Sequence, residues 1–141
     1  MTKHAREVMH SDCKNAFVHL SSVLGELDLP FHGVYAGTKT FNRVFGRLMS
    51  WNHKTNKAET LVVKPAGMTT GMTQNHRDPS FVEPIDAVHG IMRELGTSPG
   101  YHETYGALLH GLIGNQAKYF PHFALHGAKK SLSQLKEPPY K

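Results

Sequence analysis

Apolar side chains recur every three to four positions in several stretches of this chain, and prolines cut those stretches apart before any grows long. That spacing is the period of a helix with one buried face. Between about Lys3 and Asp28, the residues Cys13, Ala16, Phe17, Leu20, Val23, Leu24 and Leu27 share such a face, and Pro30 ends the run. Ser11 can cap a shorter helix, so the stretch reads equally as two pieces. After a connector at 31–39, Thr40 is placed to cap a helix with apolar positions Phe41, Val44, Phe45 and Leu48. Lys39, Arg43 and Arg47 then follow at i, i+4 and i+8 on the opposite face, forming a basic ridge.

The β-branched run Thr60-Leu61-Val62-Val63, stopped by Pro65, allows one short strand near 60–63. Residues 65–79 show no hydrophobic period and read as a long loop, of the kind used as lids or partner arms. Ser80 and Glu83 have the spacing of a capping box, which starts a helix through Val82, Ile85, Val88, Met92 and Leu95. Gly96 is suited to end it in a left-handed conformation. Ser98 and Pro99 open a central helix with Tyr101, Tyr105, Leu108, Leu109, Leu112 and Ile113 on one stripe. Beyond Pro121 a last helix carries Ala124, Ala128, Leu132 and Leu135 before Pro138-Pro139. The expected fold is all-α: an irregular bundle of about five helices in one domain, 1–141.

Composition limits what such a bundle would do. Sixteen Lys and Arg against eleven Asp and Glu give a net charge of +5, which favours anionic partners. Basic residues gather at 39–64 and beyond 118, and acidic ones at 78–103, an arrangement that lets copies dock head to tail. A single cysteine, Cys13, excludes an internal disulfide and a cysteine-based zinc knuckle, and fits a reducing compartment. The polar start excludes an ordinary secretory signal, and an uncleaved mitochondrial signal stays compatible with it. No apolar stretch reaches the ~20 residues of a membrane-spanning helix.

The search for chemistry yields few candidates. His76-Arg77-Asp78 spells a kinase catalytic-loop triplet, but Glu83 stands where its asparagine belongs. Walker, nucleophile-elbow and dinucleotide glycine motifs are missing. Lys39, Arg43 and Arg47, with Trp51 and His53 nearby, pair cations with stacking surfaces and so suit nucleic acid or an acidic protein. His122 and His126, four apart on the last helix, have the spacing of two zinc ligands without the glutamate of a metalloprotease helix. Glu103 and His110, seven apart on the central helix, would share a face.

His89 in a helix, followed by Pro99, Tyr101, Leu108-Leu109, Phe120 and Ala124, is similar to the late helices of a globin. That resemblance implies His89 as a proximal haem ligand and Val44 in the distal pocket. Thr40 stands where a distal histidine often lies, and Val44 to His89 is longer than the corresponding globin span.

The sequence therefore reads as a non-catalytic assembly subunit of a larger complex, of virion, ribonucleoprotein or organellar type, docking through its basic helix face. Its expected partners are other protein subunits, copies of itself among them, and no motif demands a cofactor. Two alternatives are a nucleic-acid module on the ridge 39–47 and a haem or metal protein built on His89, His110 or His122 with His126.

Overall fold

The computed structural model describes residues 13–27, 32–53, 58–97 and 100–133, together with Glu7 and Met9. It is a mixed α/β fold, which overturns the expected helical bundle. Three parallel strands lie in the order β1 (Asn15–Leu20), β2 (Ala58–Val63), β3 (Tyr101–Thr104). Helix α1 (Gly33–His53) joins β1 to β2, and α2 (Pro84–Glu94) joins β2 to β3. Helices α3 (Leu108–Tyr119) and α4 (Pro121–Ser133) follow the sheet, and short 3₁₀ turns occupy Val23–Glu26 and Gly71–Thr73.

β2 is the middle strand, and Thr60, Leu61, Val62 and Val63 are completely buried. A parallel strand covered on both faces reads as a continuous apolar run, which is why this segment was visible as extended. β1 was not. Its pairing places Phe17 beside Thr60 and His19 beside Val62, with Ala16, Val18 and Leu20 turned to the exposed face. The three- and four-residue spacing from Cys13 to Leu27 is thus accidental: long-range pairing with β2 overrides a local pattern that fits a helix equally well.

The other boundaries move for local reasons. α1 starts at Gly33, so the expected connector 31–39 is largely helical, and Thr40 lies inside the helix, donating its hydroxyl to the Gly25 carbonyl at 2.6 Å. Ser80 donates to Asp78 instead of capping, Val82 bridges to Met68, and α2 begins at Pro84. The capping box of this region is formed by Thr70 and Thr73 within the 65–79 segment. Tyr101 to Thr104 is strand, and Gly106 with φ +76° separates it from α3, so the central helix is shorter than its sequence pattern. A parallel sheet of this kind is incompatible with the globin likeness. Gly96 does adopt the left-handed conformation, φ +82°, and its amide donates to Glu59 at 2.7 Å. Among the described residues, no helix is long and apolar enough to cross a membrane.

α1 lies close against the sheet because Gly46 has no side chain: a Cβ there would stand 2.7 Å from Val62 and 3.0 Å from His19. Beyond the carboxyl ends of the strands a second core gathers Val23 of the first 3₁₀ turn and Leu27 just after it with Ala117 of α3, flanked by Ala66, Tyr105 and Leu125. His110 of α3 is fully buried there, with Nε2 at 2.9 Å from the Gly67 carbonyl. A carbonyl only accepts, so Nε2 is the donor in this bond. The backbone of α2 meets the β3–α3 turn at Gly90, where a Cβ would fall on the Gly106 carbonyl. Gly90→Ala should therefore cost at least ~3 kcal/mol, against the 1–3 kcal/mol usual for overpacking, because backbone rather than a side chain must move. Urea denaturation measures it, and an unchanged midpoint would contradict the close approach.

Candidate functional site

In open parallel sheets, ligands bind beyond the carboxyl ends of the strands, where loops and helix starts converge. Here the hydrogen-bond ladder continues past the strands: the Ser21 amide donates to Val63 (2.8 Å), Val23 to Pro65 (3.0 Å) and Lys64 to Thr104 (2.7 Å). Ser21, Ser22, Lys64 and Tyr105 are thereby carried onto this edge.

Lys64 is a buried cation. Its Nζ donates to Glu26 at 3.0 Å and to Glu103 at 2.6 Å, and lies 4.7 Å from the centre of the Tyr105 ring. Arg43 reaches the same carboxylates from α1, at 3.3 Å from Glu26 and 4.0 Å from Glu103, and Tyr101 donates its hydroxyl to Glu103. Two cations face two anions, so the group is neutral as a whole, the condition under which buried charge is tolerated. Burial alone would push the Lys64 ammonium down, but its bonds to Glu103 and Glu26 outweigh that and hold its pKa above the ordinary value. Burial likewise opposes ionisation of Glu103, and donation from Lys64 and Tyr101 brings its pKa below the usual carboxylate. Tyr101 is pushed up, first by burial and then by its bond to Glu103.

A second group stands on the first two turns of α1. Tyr35 and Lys39, four residues apart, share a helix face, and the Lys39 ammonium lies 5.5 Å from the centre of the Tyr35 ring. Both are half-buried. These turns are fixed to the sheet edge by side-chain bonds from two hydroxyl residues and an asparagine. Ser21 donates to the Lys39 carbonyl at 2.7 Å, Thr40 to Gly25 at 2.6 Å, and Asn42 to the Leu20 carbonyl at 3.1 Å. Ser22, also buried, accepts from the Leu24 amide at 3.1 Å and donates to Pro65 at 3.3 Å. Gly25 lets the 3₁₀ turn touch the helix, since a Cβ there would stand 3.0 Å from the Thr40 amide.

The residues singled out from sequence are distributed differently from the expected ridge. Arg43 turns toward the carboxylates, Lys39 lies over Tyr35, Arg47 is exposed, and Trp51 is 67% exposed. His53 is the last residue of α1, and its side chain lies outside the described residues. His89 is exposed on α2, while His122 and His126 are exposed on α4. Glu103 and His110 do not share a helix, because Glu103 belongs to β3. Among the described residues, no group of three His, Cys, Asp or Glu side chains is arranged to hold a metal ion. An open groove of about 610 Å³ between α2 and α3, lined by Asp86, His89, Arg93 and Leu112, shares Tyr105 with the surroundings of Lys64 but does not reach Tyr35 or Lys39.

Tyr35, Ser21, Ser22, Glu26 and Lys64 were missed by sequence reasoning. Reading 31–39 as a connector hid the helical spacing of Tyr35 and Lys39. The available signal for Lys64 was a cation immediately after a fully apolar strand. No protein-family model matches the chain, and no curated protein matches it at a significant level.

The ion cluster has a definite pH signature. Glu103, depressed in the folded state, contributes stability that is complete above its unfolded pKa of about 4.3 and lost as pH falls through its lower folded value. Lys64, raised, contributes stability that is complete below about 10.4 and lost as pH rises through its higher folded value. Lys64→Met leaves two half-buried carboxylates with Arg43 alone and should destabilise near neutral pH by somewhat less than the ~3–5 kcal/mol of breaking a fully buried pair. Thermal or urea unfolding across pH tests this, with Glu103→Gln flattening the acid limb. A Lys64→Met protein as stable as wild type would refute the assignment.

Proposed function

We propose that the carboxyl edge of the sheet is a general acid–base site at which Tyr35 exchanges a proton with an oxygen of a small substrate. The observation that carries this is the Lys39 ammonium 5.5 Å from the centre of the Tyr35 ring, on helix turns bonded to the ends of the strands. A phenol positioned in this way donates its proton to a developing alkoxide, or takes one from an alcohol. The positive charge of Lys39 then stands beside the phenolate that donation leaves, already oriented by the helix. Ser21 and Thr40 hold the first turns of the helix against the strand ends, so the pair does not have to be assembled when substrate arrives.

The reaction class this fits is interconversion of a carbonyl and an alcohol. In the reducing direction the Tyr35 O–H bond breaks and an O–H bond forms on the substrate. A reduced nicotinamide bound alongside would supply the hydride that such a proton transfer accompanies. Support for that cofactor class is analogy of fold: β1-α1-β2-α2-β3, with neighbouring parallel strands, has the arrangement of one half of a doubly wound dinucleotide-binding sheet. Hydroxyl and ammonium donors at this edge suit ribose hydroxyls and a carbonyl oxygen, whereas the glycine-rich phosphate turn of such folds is not among these residues. The phosphate-binding half would come from another segment or subunit.

The expectation of an assembly subunit is kept as a second proposal because large apolar side chains stand exposed on α1. Nucleic-acid binding has less support, since Arg43 is engaged with Glu26 rather than presented outward.

Oxidation of NADH or NADPH in the presence of aldehydes and ketones, or the reverse with alcohols, tests the first proposal. Tyr35→Phe should lower turnover ~10²–10⁴-fold, the range of a general acid, with its fold intact by circular dichroism. Turnover unchanged in Tyr35→Phe, or no turnover of any carbonyl or alcohol by the wild type, would reject it.

A further inference from the structure

The outward face of α1 carries a line of large apolar side chains. Val34 is 86% exposed, Phe41 64% and Leu48 50%, and the three are spaced by seven residues, so they lie on one line down the helix. Trp51, 67% exposed, extends the stripe at its carboxyl end. The stripe lies opposite the side of α1 that carries Arg43 and Gly46 against the rest of the fold, and it contains no ionisable side chain.

We infer that this face binds the same face of a second copy of the chain, with the two α1 helices packed antiparallel about a two-fold axis at Phe41. This deepens the assembly reading and is independent of the acid–base one.

Three observations select a second copy over an unlike partner. Val34 and Leu48 are equidistant from Phe41, so a two-fold axis there sets Val34 against Leu48 of the second copy and Phe41 against its own equivalent; a self-complementary patch is what such symmetry demands. Gly37 lies on the same face with open space in front of it, which leaves room for the other helix to approach. The charge pattern also permits it. A chain of net charge +5 resists self-association in general, yet Lys39 and Arg43 are turned toward Tyr35 and Glu26, and the exposed Arg47 lies off the line of Val34, Phe41 and Leu48, at its flank near Trp51, so the centres of the two stripes meet without opposed cations.

The area suffices. With large side chains exposing about 150–250 Å² each when free, these four residues offer roughly 500 Å² per copy and about 1,000 Å² per pair, the lower bound for a specific interface before any rim is counted.

The test is sedimentation of the full chain across concentration, with Phe41→Asp as the variant. The wild type should sediment as a dimer, and Phe41→Asp should raise the dimer dissociation constant at least ~30-fold with an unchanged circular dichroism spectrum, as expected for a central apolar contact. Trp51 is the only tryptophan, so its emission should shift to shorter wavelength as the wild type is concentrated and stay fixed in Phe41→Asp. A wild type that is monomeric at every concentration, or a dimer indifferent to Phe41→Asp, would overturn the inference. If such a monomer still retains other proteins during purification from its source, the assembly reading survives and only the second copy is wrong.

Discussion

The Lys64 ammonium sits where water scarcely reaches, held between the carboxylates of Glu26 and Glu103. An ammonium in such a place must be paired, and each group that pairs it belongs to a different part of the chain. Glu26 comes from the first 3₁₀ turn, Glu103 from β3, and Arg43 from α1 through the same two carboxylates. The strand order brings these elements near one another; the requirement to neutralise one buried charge fixes how they meet. Replacing the group with hydrocarbon of similar shape could be as stable, since desolvation consumes much of what ion pairing returns. What the charges add is a requirement for one arrangement, because sliding α1 along the sheet would strand a carboxylate.

That requirement explains the orientation of α1. Judged by hydropathy, Phe41 and Leu48 should face inward and the cations outward. Arg43 is instead drawn inward by Glu26, and Gly46 lets the same side of the helix approach Val62 and His19. Apolar side chains on the other side are left in solvent. The rotation also places Tyr35 and Lys39 at the carboxyl edge, where Ser21 and Thr40 fasten the beginning of the helix. One electrostatic contact thus decides both what the helix brings to the site and what it leaves uncovered.

Legibility of the sequence followed the range of the forces involved. Gly96 and β2 could be read because a left-handed turn and a strand buried on both faces leave local signatures. β1 could not, since Asn15 to Leu20 becomes extended only by pairing with residues more than forty positions away. Tyr101 to Thr104 was hidden similarly, its aromatic spacing continuing that of α3 across the left-handed Gly106. The candidate site was less legible than the fold. Lys39 and Arg43 stood out as cations, but Tyr35 was hidden by reading 31–39 as a connector, and Glu26 and Glu103 lie in two other segments that no spacing rule links to Arg43, since they meet only through the parallel sheet.

β1 carries a consequence of its own. Among the described residues it is bonded to β2 on one side only, and the six residues Asn15–Leu20 include neither proline nor lysine, the usual guards of an exposed strand. Val18 and Leu20 stand exposed along it. Wherever that rim is left bare, any extended segment of suitable register can add to it. Colloidal behaviour would then be governed by the rim: the sheet would grow sideways and trap the chain in insoluble ribbons while its helices stayed folded.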